Sequence, residues 1–316
     1  MPARRYDLAD PRLSGAFERP AVTIGVFDGV HRGHREVVER LRARAGDGPA
    51  VVVTFDEHPR AVLAGQGPPL LTGLDHRVLL LGRAGVDGVV VLPFREVASW
   101  SAREFVERVL VEALGAAWVL VGADHRFGRG REGDLALLQA LGAELGFQAE
   151  EVELELEDGV ISSTAIREAL AAGDLARAEA LLGRPVACLG RVVPGDQRGR
   201  TLGFPTANLA LPAGVILPAR GVYVAQARVT DPRTGAAEPT LPAVLNVGRR
   251  PTFGDDDPDL CEVHLLEGGR DLYGEHLEVE LLQRLRGEQR FSGPQALREQ
   301  IARDVAAARE LLAARP

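Results

Sequence analysis

The sequence predicts an α/β chain in two parts, a doubly wound parallel sheet over residues 1–183 and an antiparallel β-barrel with a terminal helix over residues 184–316. Three observations carry this. Up to about Leu156, continuous apolar, β-branched runs alternate with amphipathic stretches, the pattern of strands buried on both faces and separated by helices. Gly183-Arg184-Pro185 then stops a helix and marks a boundary. Beyond it, short runs are separated by Gly/Pro/Asp-rich turns, as strands of an antiparallel barrel are.

In chain order, the run from Ala21 to Ile24 is the first strand, and it breaks into Gly25-Val26-Phe27-Asp28-Gly29-Val30-His31-Arg32-Gly33-His34 before a helix over 35–45. Gly25, Gly29 and Gly33 lack a Cβ, so backbone N–H groups there can approach a ligand closely, and the helix start adds partial positive charge. His31 and His34 stand three apart, so both imidazoles can face one anion. Such a junction is common in α/β proteins, and a His pair serves equally as surface decoration or half of a metal site. Further strands are expected at 51–55, 89–92, 118–121 and 152–156, with helices near 74–84, 102–114 and 133–145. Ser101-Ala102-Arg103-Glu104 is a capping box for the helix at 102. Ligands of parallel sheets gather at the strands' carboxyl ends, where Asp56-Glu57-His58-Pro59 and Gly122 to Gly133 also fall.

Ile161-Ser162-Ser163-Thr164-Ala165-Ile166-Arg167 opens a helix to about Ala171, with Ser162 or Ser163 as its N-cap, and another follows from Asp174 to Leu182. Barrel strands are expected at 186–193, 221–228, 241–247, 260–266 and 277–285. Ser292-Gly293-Pro294 caps a last helix striped by Leu297, Ile301, Val305, Ala308 and Leu312. In an extended segment Thr206 and Asn208 point the same way, a hydroxyl beside an amide oxygen, suited to Mg²⁺ and phosphates, or else a plain Pro-Thr turn. On a strand reading Glu262 and His264 share one face, directed at the barrel interior or its rim.

Composition excludes several function classes. Of 316 residues, 37 are Lys or Arg against 45 Asp or Glu, a net charge of −8 with no basic run, which argues against nucleic acid. No apolar run approaches the roughly 20 residues of a membrane span, and Met1 to Asp7 lacks a signal-peptide core, so the cytoplasm is the expected location. Cys188 and Cys261 read as separate buried thiols without a metal spacing. The chain contains no lysine, which rules out the Walker lysine, the kinase strand lysine and Schiff-base chemistry. ATP must therefore be met by backbone amides, Arg, His and a metal ion. Asp255-Asp256-Asp257 reads as a solvated loop.

His31-Arg32-Gly33-His34 resembles the HxGH signature of adenylyl- and cytidylyltransferases, which have a Rossmann-like fold, and the Phe-Asp-Gly-Val-His form resembles bacterial bifunctional riboflavin kinase/FAD synthetases. Gly203-Phe204-Pro205-Thr206-Ala207-Asn208 is similar to the PTAN motif of riboflavin kinases. Asn246-Val247-Gly248-Arg249-Arg250-Pro251-Thr252-Phe253, Cys261-Glu262-Val263-His264 and Asp271-Leu272-Tyr273-Gly274 follow in the family's order. The resemblance implies ATP binding by Gly25, Val26, Phe27, Asp28, Gly29, Ser162, Ser163 and Thr164, with His31, His34 and Arg167 catalysing adenylyl transfer. It implies flavin binding by Asp124, Arg126 and Phe127, where His125 replaces the usual phenylalanine, and Glu57 stands where a proline is usual in the 54–59 loop. For the kinase it implies nucleotide and Mg²⁺ binding by Gly203, Pro205, Thr206 and Asn208. A base is needed to take the proton of the attacking alcohol, and Glu262 is the candidate; a cross-strand ion pair is the bland alternative.

These features lead to a bifunctional enzyme acting on riboflavin, FMN, FAD and ATP. The alternatives are a single-activity adenylyl- or cytidylyltransferase with a non-catalytic flavin-binding barrel, and a flavin store that consumes no ATP.

Overall fold

A computed structural model of the chain describes residues 3–152, 161–195, 199, 202–249, 259–267 and 271–314. Outside these fall the expected strand beyond Val152, Arg200-Thr201 before the PTAN string, Arg250 to Phe253, Asp255 to Asp257, and Gly268-Gly269. The chain forms two compact units: residues 1–68, 77–161 and 233–235 make the first, and residues 69–76, 162–232 and 236–316 the second.

The first unit is built on six strands, β1 (Arg4–Asp7), β2 (Ala21–Ile24), β3 (Ala50–Phe55), β4 (Gly88–Leu92), β5 (Trp118–Gly122) and β6 (Gln148–Val152). They lie in the order β1-β4-β3-β2-β5-β6, every pair parallel. The central strands β2, β3 and β4 are buried almost throughout, as their unbroken apolar runs require. From β2 the chain steps outward to β3 and β4, then crosses back to place β5 on the other side of β2. The crevice at the carboxyl ends of β2 and β5 is thus the topological switch point.

Two edge strands differ from expectation. Strand β1 reads Arg-Arg-Tyr-Asp and buries only Tyr6; pairing with β4 makes it a strand where local composition gives no signal. Strand β6 lies at 148–152, ahead of the expected 152–156, because Glu150 and Glu151 on an exposed edge mask the pattern. Helices α1 (Arg32–Ala45), α2 (Pro59–Ala64), α3 (Leu74–Arg83), α4 (Phe94–Val97), α5 (from Ala102) and α6 (Leu135–Leu145) connect the strands, α3 beginning in the second unit's 69–76 segment. Ser101 caps α5 by accepting from Glu104 N–H at 3.1 Å, and after Phe105 the helix continues as a π-helix over Val106–Ala113.

In the second unit, β7 (Val186–Val193), β8 (Ala207–Ala210), β9 (Gly221–Val229), β10 (Leu241–Arg249), β11 (Asp259–Leu265) and β12 (His276–Arg286) close a barrel in the order β10-β11-β8-β7-β12-β9. All six pairings are antiparallel. Tyr223, Ala225, Leu245, Val263, Leu277, Val279 and Leu281 fill the interior in alternation with outward residues. Helices α7 (Ser163–Ala172) and α8 (Leu175–Leu182) share that core through Ile166, Ala169, Leu170 and Ala178. Helix α9 (Pro294–Ala313) covers the outer side of β9 and β10, where Val305, Ala308 and Leu312 of the expected stripe pack with Val222, Val224 and Val244. Its cap, Gly293, makes no side-chain bond.

Both cysteines are free and buried in the barrel core, where a hydrogen bond with Cys188 and burial push the Cys261 thiol up. Among the described residues no helix is long and apolar enough to cross a membrane.

Candidate functional site

In the first unit the loop after β2 turns on Phe27, Gly29 and Val30, all at positive φ (52°, 85° and 42°). That backbone is strained for Phe27 and Val30, both of which are buried, so packing holds the turn. His31 is the N-cap of α1: its Nδ1 accepts from His34 N–H at 3.4 Å, which assigns the ring proton to Nε2. The two imidazoles stack with centroids 3.6 Å apart and 17° between planes, and Phe27 leans on His34 at 5.1 Å. The expected pair therefore does share one side of the helix start. Burial first, then the neighbouring His31 and Arg77, push the His34 pKa well down, so that ring is neutral at pH 7. Its Nδ1 is buried without a hydrogen-bond partner among the described residues.

Arg77, which nothing in the sequence singles out, holds this turn from beneath. Its buried Nη1 donates to Val26 O (2.8 Å), Thr54 Oγ1 (3.0 Å) and Phe55 O (3.1 Å), tying together the ends of β2 and β3. Burial lowers its pKa, opposed by Asp28 and Asp56. Gly25 is required here because a Cβ would lie 2.9 Å from the Phe27 ring.

Beside this turn lies a cavity of about 560 Å³, within the range of small-molecule sites. Gly25 and Val26 form one wall, Phe55, Phe94 and Phe105 the apolar lining, and Asp124, His125, Arg126 and Phe127 the loop after β5. All three predicted flavin residues thus line one space with two of the predicted ATP residues. Phe127 is buried, with Phe105 at 5.9 Å and His125 stacked on it at 5.8 Å. Gly133 admits the Phe127 ring, which a Cβ would meet at 2.7 Å, and Gly128, at φ 75°, fits where a Cβ would strike the Ala102 backbone at 2.6 Å. His58 caps α2, and Glu57 takes a two-point bond from Arg95 (2.6 and 2.8 Å), an anchor that replaces the stiffness of the usual proline.

Ser162, Ser163, Thr164 and Arg167 fold with the second unit. Ser162 Oγ accepts from Ala165 N–H at 3.2 Å, as an N-cap does, and Arg167 Nε donates to Pro69 O at 2.5 Å.

In the barrel, register does what spacing alone leaves open. Asn208 on β8 pairs with Glu262 on β11, and Glu262 pairs with Asn246 on β10. Their chain neighbours Ala207, Leu209, Cys261, Val263, Leu245 and Val247 belong to the core, so Asn208, Glu262 and Asn246 form a row on the outer face. This corrects the expectation that Glu262 is directed at the barrel interior or its rim: the alternation begins from buried Cys261 and turns Glu262 and His264 outward. Asn246 Nδ2 donates to Glu262 Oε2 at 3.4 Å. His264 Nδ1 lies 2.8 Å from Pro205 O and its ring meets Phe204 edge-on at 5.6 Å, which seats the Gly203–Thr206 turn beside the row. Gly195 passes over Asn208 so closely that a Cβ would fall 2.1 Å from its Nδ2. Among the described residues no group of three His, Cys, Asp or Glu could hold a metal ion.

Two family models match the chain, FAD synthetase over residues 14–165 and riboflavin kinase over 182–312. The bifunctional riboflavin kinase/FMN adenylyltransferase of Escherichia coli K12 is 45% identical over 92% of this chain and 91% of its own length. That of Pseudomonas fluorescens is 43% identical over 92% of each, and that of Bacillus subtilis 34% identical over 90% of each. A solved structure from Streptococcus pneumoniae, described as a macrolide-efflux protein, superposes with TM-score 0.76 at 31% identity over 96% of this chain and 98% of that one. With both halves matched in order and relatives aligned almost end to end, the chain belongs to the bifunctional riboflavin kinase/FMN adenylyltransferase family.

Proposed function

We propose that the chain makes FAD in two steps, phosphorylating riboflavin to FMN with ATP and then transferring AMP from a second ATP to FMN with release of diphosphate. The observation that carries this is the presence of two chemically different sites. One is a carboxylate with an amide on either side of it in strand register and a bond from Asn246, and the other a stacked imidazole pair, its His34 ring neutral, at the sheet's switch point. The first suits a reaction that needs a base, the second one that does not. We assign adenylyl transfer to residues 1–183 and kinase chemistry to 184–316, with the cytoplasm as location, small molecules as substrates, and neither nucleic acid nor membrane as a partner.

In the kinase step Glu262 accepts the proton of the 5′-hydroxyl as its oxygen attacks the γ-phosphorus of ATP, and ADP leaves. Asn246 orients that carboxylate through its amide. Thr206 and Asn208 fit a magnesium ion, since a hydroxyl and an amide carbonyl both offer hard oxygen donors. When bound, Mg²⁺ neutralises phosphate charge. Gly203 and Pro205 bring backbone to the nucleotide.

In the adenylyl step the FMN phosphate is already an anion and needs no base. It attacks the α-phosphorus, and diphosphate departs. His31 donates from Nε2, His34 from its own N–H, and the start of α1 adds its partial charge at the α-phosphate. The backbone of Gly25 to Gly29 cradles the nucleotide, while Ser162, Ser163, Thr164 and Arg167 hold the departing diphosphate. Asp124, Arg126 and Phe127 bind the flavin.

Chromatography of flavin products over time tests the scheme. Wild type with riboflavin and MgATP yields FMN and then FAD; His31→Ala accumulates FMN, and Glu262→Gln forms FAD only when FMN is supplied. A His31→Ala or Glu262→Gln variant that folds yet stops both steps overturns the division of labour.

A further inference from the structure

The loop after β5 brings to the cavity one polar ring that neither step uses. His125 lines the space, its imidazole stacked nearly parallel to Phe127 (22° between planes, centroids 5.8 Å apart), so it adds a second flat ring to the aromatic lining. Its Nε2 is buried and has no hydrogen-bond partner among the described residues. Most of the remaining lining is apolar, Ile24, Phe55, Phe94, Val97 and Phe105 among it, with His58, Arg60, Asp124, Arg126 and Arg131 as its polar members. Burial first, then the charges of Arg126 and Arg131, lower the His125 pKa to about 4. At pH 7 the ring is therefore uncharged, a donor at one nitrogen and an acceptor at the other. A half-turn about Cβ–Cγ keeps the ring plane, and with it the stack on Phe127, while exchanging the positions of its nitrogens and carbons.

We propose that His125 is a positioning residue for the flavin: stacked on Phe127, it hydrogen-bonds the heteroatom edge of the isoalloxazine, fixing which way round the ring enters. The flavin presents ring N–H, ring nitrogen and carbonyl oxygen along that edge, all within the repertoire of a neutral imidazole. This inference rests on the assignment of flavin to the cavity beside the β2 turn. The buried nitrogen, without a partner among the described residues, gains one from the ligand, so the bond favours binding more than a surface hydrogen bond would.

The test is steady-state FAD formation from FMN and MgATP by the full chain. In His125→Phe, which keeps a flat ring and loses the nitrogens, KM for FMN rises roughly five- to thirty-fold. KM for ATP and kcat at saturating FMN stay within about three-fold. His125→Gln, which keeps a polar group able to donate and accept, recovers most of the affinity. An unchanged KM for FMN in His125→Phe overturns the proposal, and so does an equal rise in both variants, which would make the residue a matter of shape. Ala98→Trp, which narrows the cavity, or Phe55→Ala if the first does not fold, tests the underlying assignment. If that variant folds and leaves KM for FMN unchanged, the flavin lies elsewhere and both readings fall. If it weakens FMN while His125→Phe does not, only the role of His125 falls.

Discussion

In the parallel-sheet unit the candidate groups hang from loops beyond the carboxyl ends of β2, β3 and β5; in the barrel unit Asn208, Glu262 and Asn246 stand on the strands themselves, side by side across β8, β11 and β10. The first arrangement draws each cluster from a few consecutive residues and uses unusual backbone, with positive φ at Phe27 and Val30, to aim it. The second uses regular extended backbone and draws on positions as far apart as 208, 246 and 262. A loop site is thus tuned by turn chemistry, and a strand site by register, where a one-residue slip would turn Glu262 into the core and bring Cys261 out.

The largest expected effects break the two sites one at a time. Glu262→Gln should lower FMN formation by roughly 10²–10⁴ and leave FAD formation from supplied FMN unchanged, because it removes the base and keeps the fold. His31→Ala should lower FAD formation by about 10²–10³ and spare FMN formation. Separate initial-rate assays with riboflavin and with FMN check both.

Gly195→Ala asks whether the strand site depends on close covering. Its Cβ would fall 2.1 Å from Asn208 Nδ2, so the loop or the amide must shift. FMN formation should fall about 10- to 100-fold with little change in FAD formation.

A pH series sharpens the comparison through stability. The His125 pKa in the folded chain is about 4, below the ordinary 6.5, so the unfolded chain takes up the proton first as pH falls. Stability from this group is whole above pH 6.5, is lost between 6.5 and about 4, and changes no further below that. The loss amounts to at most about 3 kcal/mol. His34, also shifted down by burial, adds to the same trend. Urea midpoints at pH 7, 5.5 and 4.5 should therefore drop less in His125→Phe than in wild type.

The smallest effect separates a cap from a clamp. Ser162→Ala removes the bond to Ala165 N–H and should cost about 1 kcal/mol in thermal unfolding. If Ser162 also holds diphosphate, FAD formation falls about ten-fold while FMN formation does not.

Contiguous strings were legible before any coordinates. The turn from Gly25 to His34 and the alternation of apolar runs with helices encode local geometry, and the structure bears both out; the loop from Gly122 to Gly133 lines the cavity. Edge strands were not: β1 and β6 owe their pairing to neighbours and present mostly polar side chains. The outward direction of Glu262 was not legible either, because alternation along a strand reveals which residues share a face but not which face is the core. Arg77 escaped notice because a buried arginine at a helix start carries no local signature; its meaning lies in three acceptors contributed by Val26, Thr54 and Phe55. The amide of Asn246, quoted within a motif, acquired a role only through its bond to Glu262.

Closure of the barrel has a consequence for synthesis. Strand β7 takes its long partner from β12, whose first residue leaves the ribosome roughly 80 residues after the last of β7, a delay on the order of 5–15 s at ordinary translation rates. Until then β8, at Val192 and its neighbours, is the one strand that can pair with β7. The nascent barrel therefore carries an open seam along β7 for that interval.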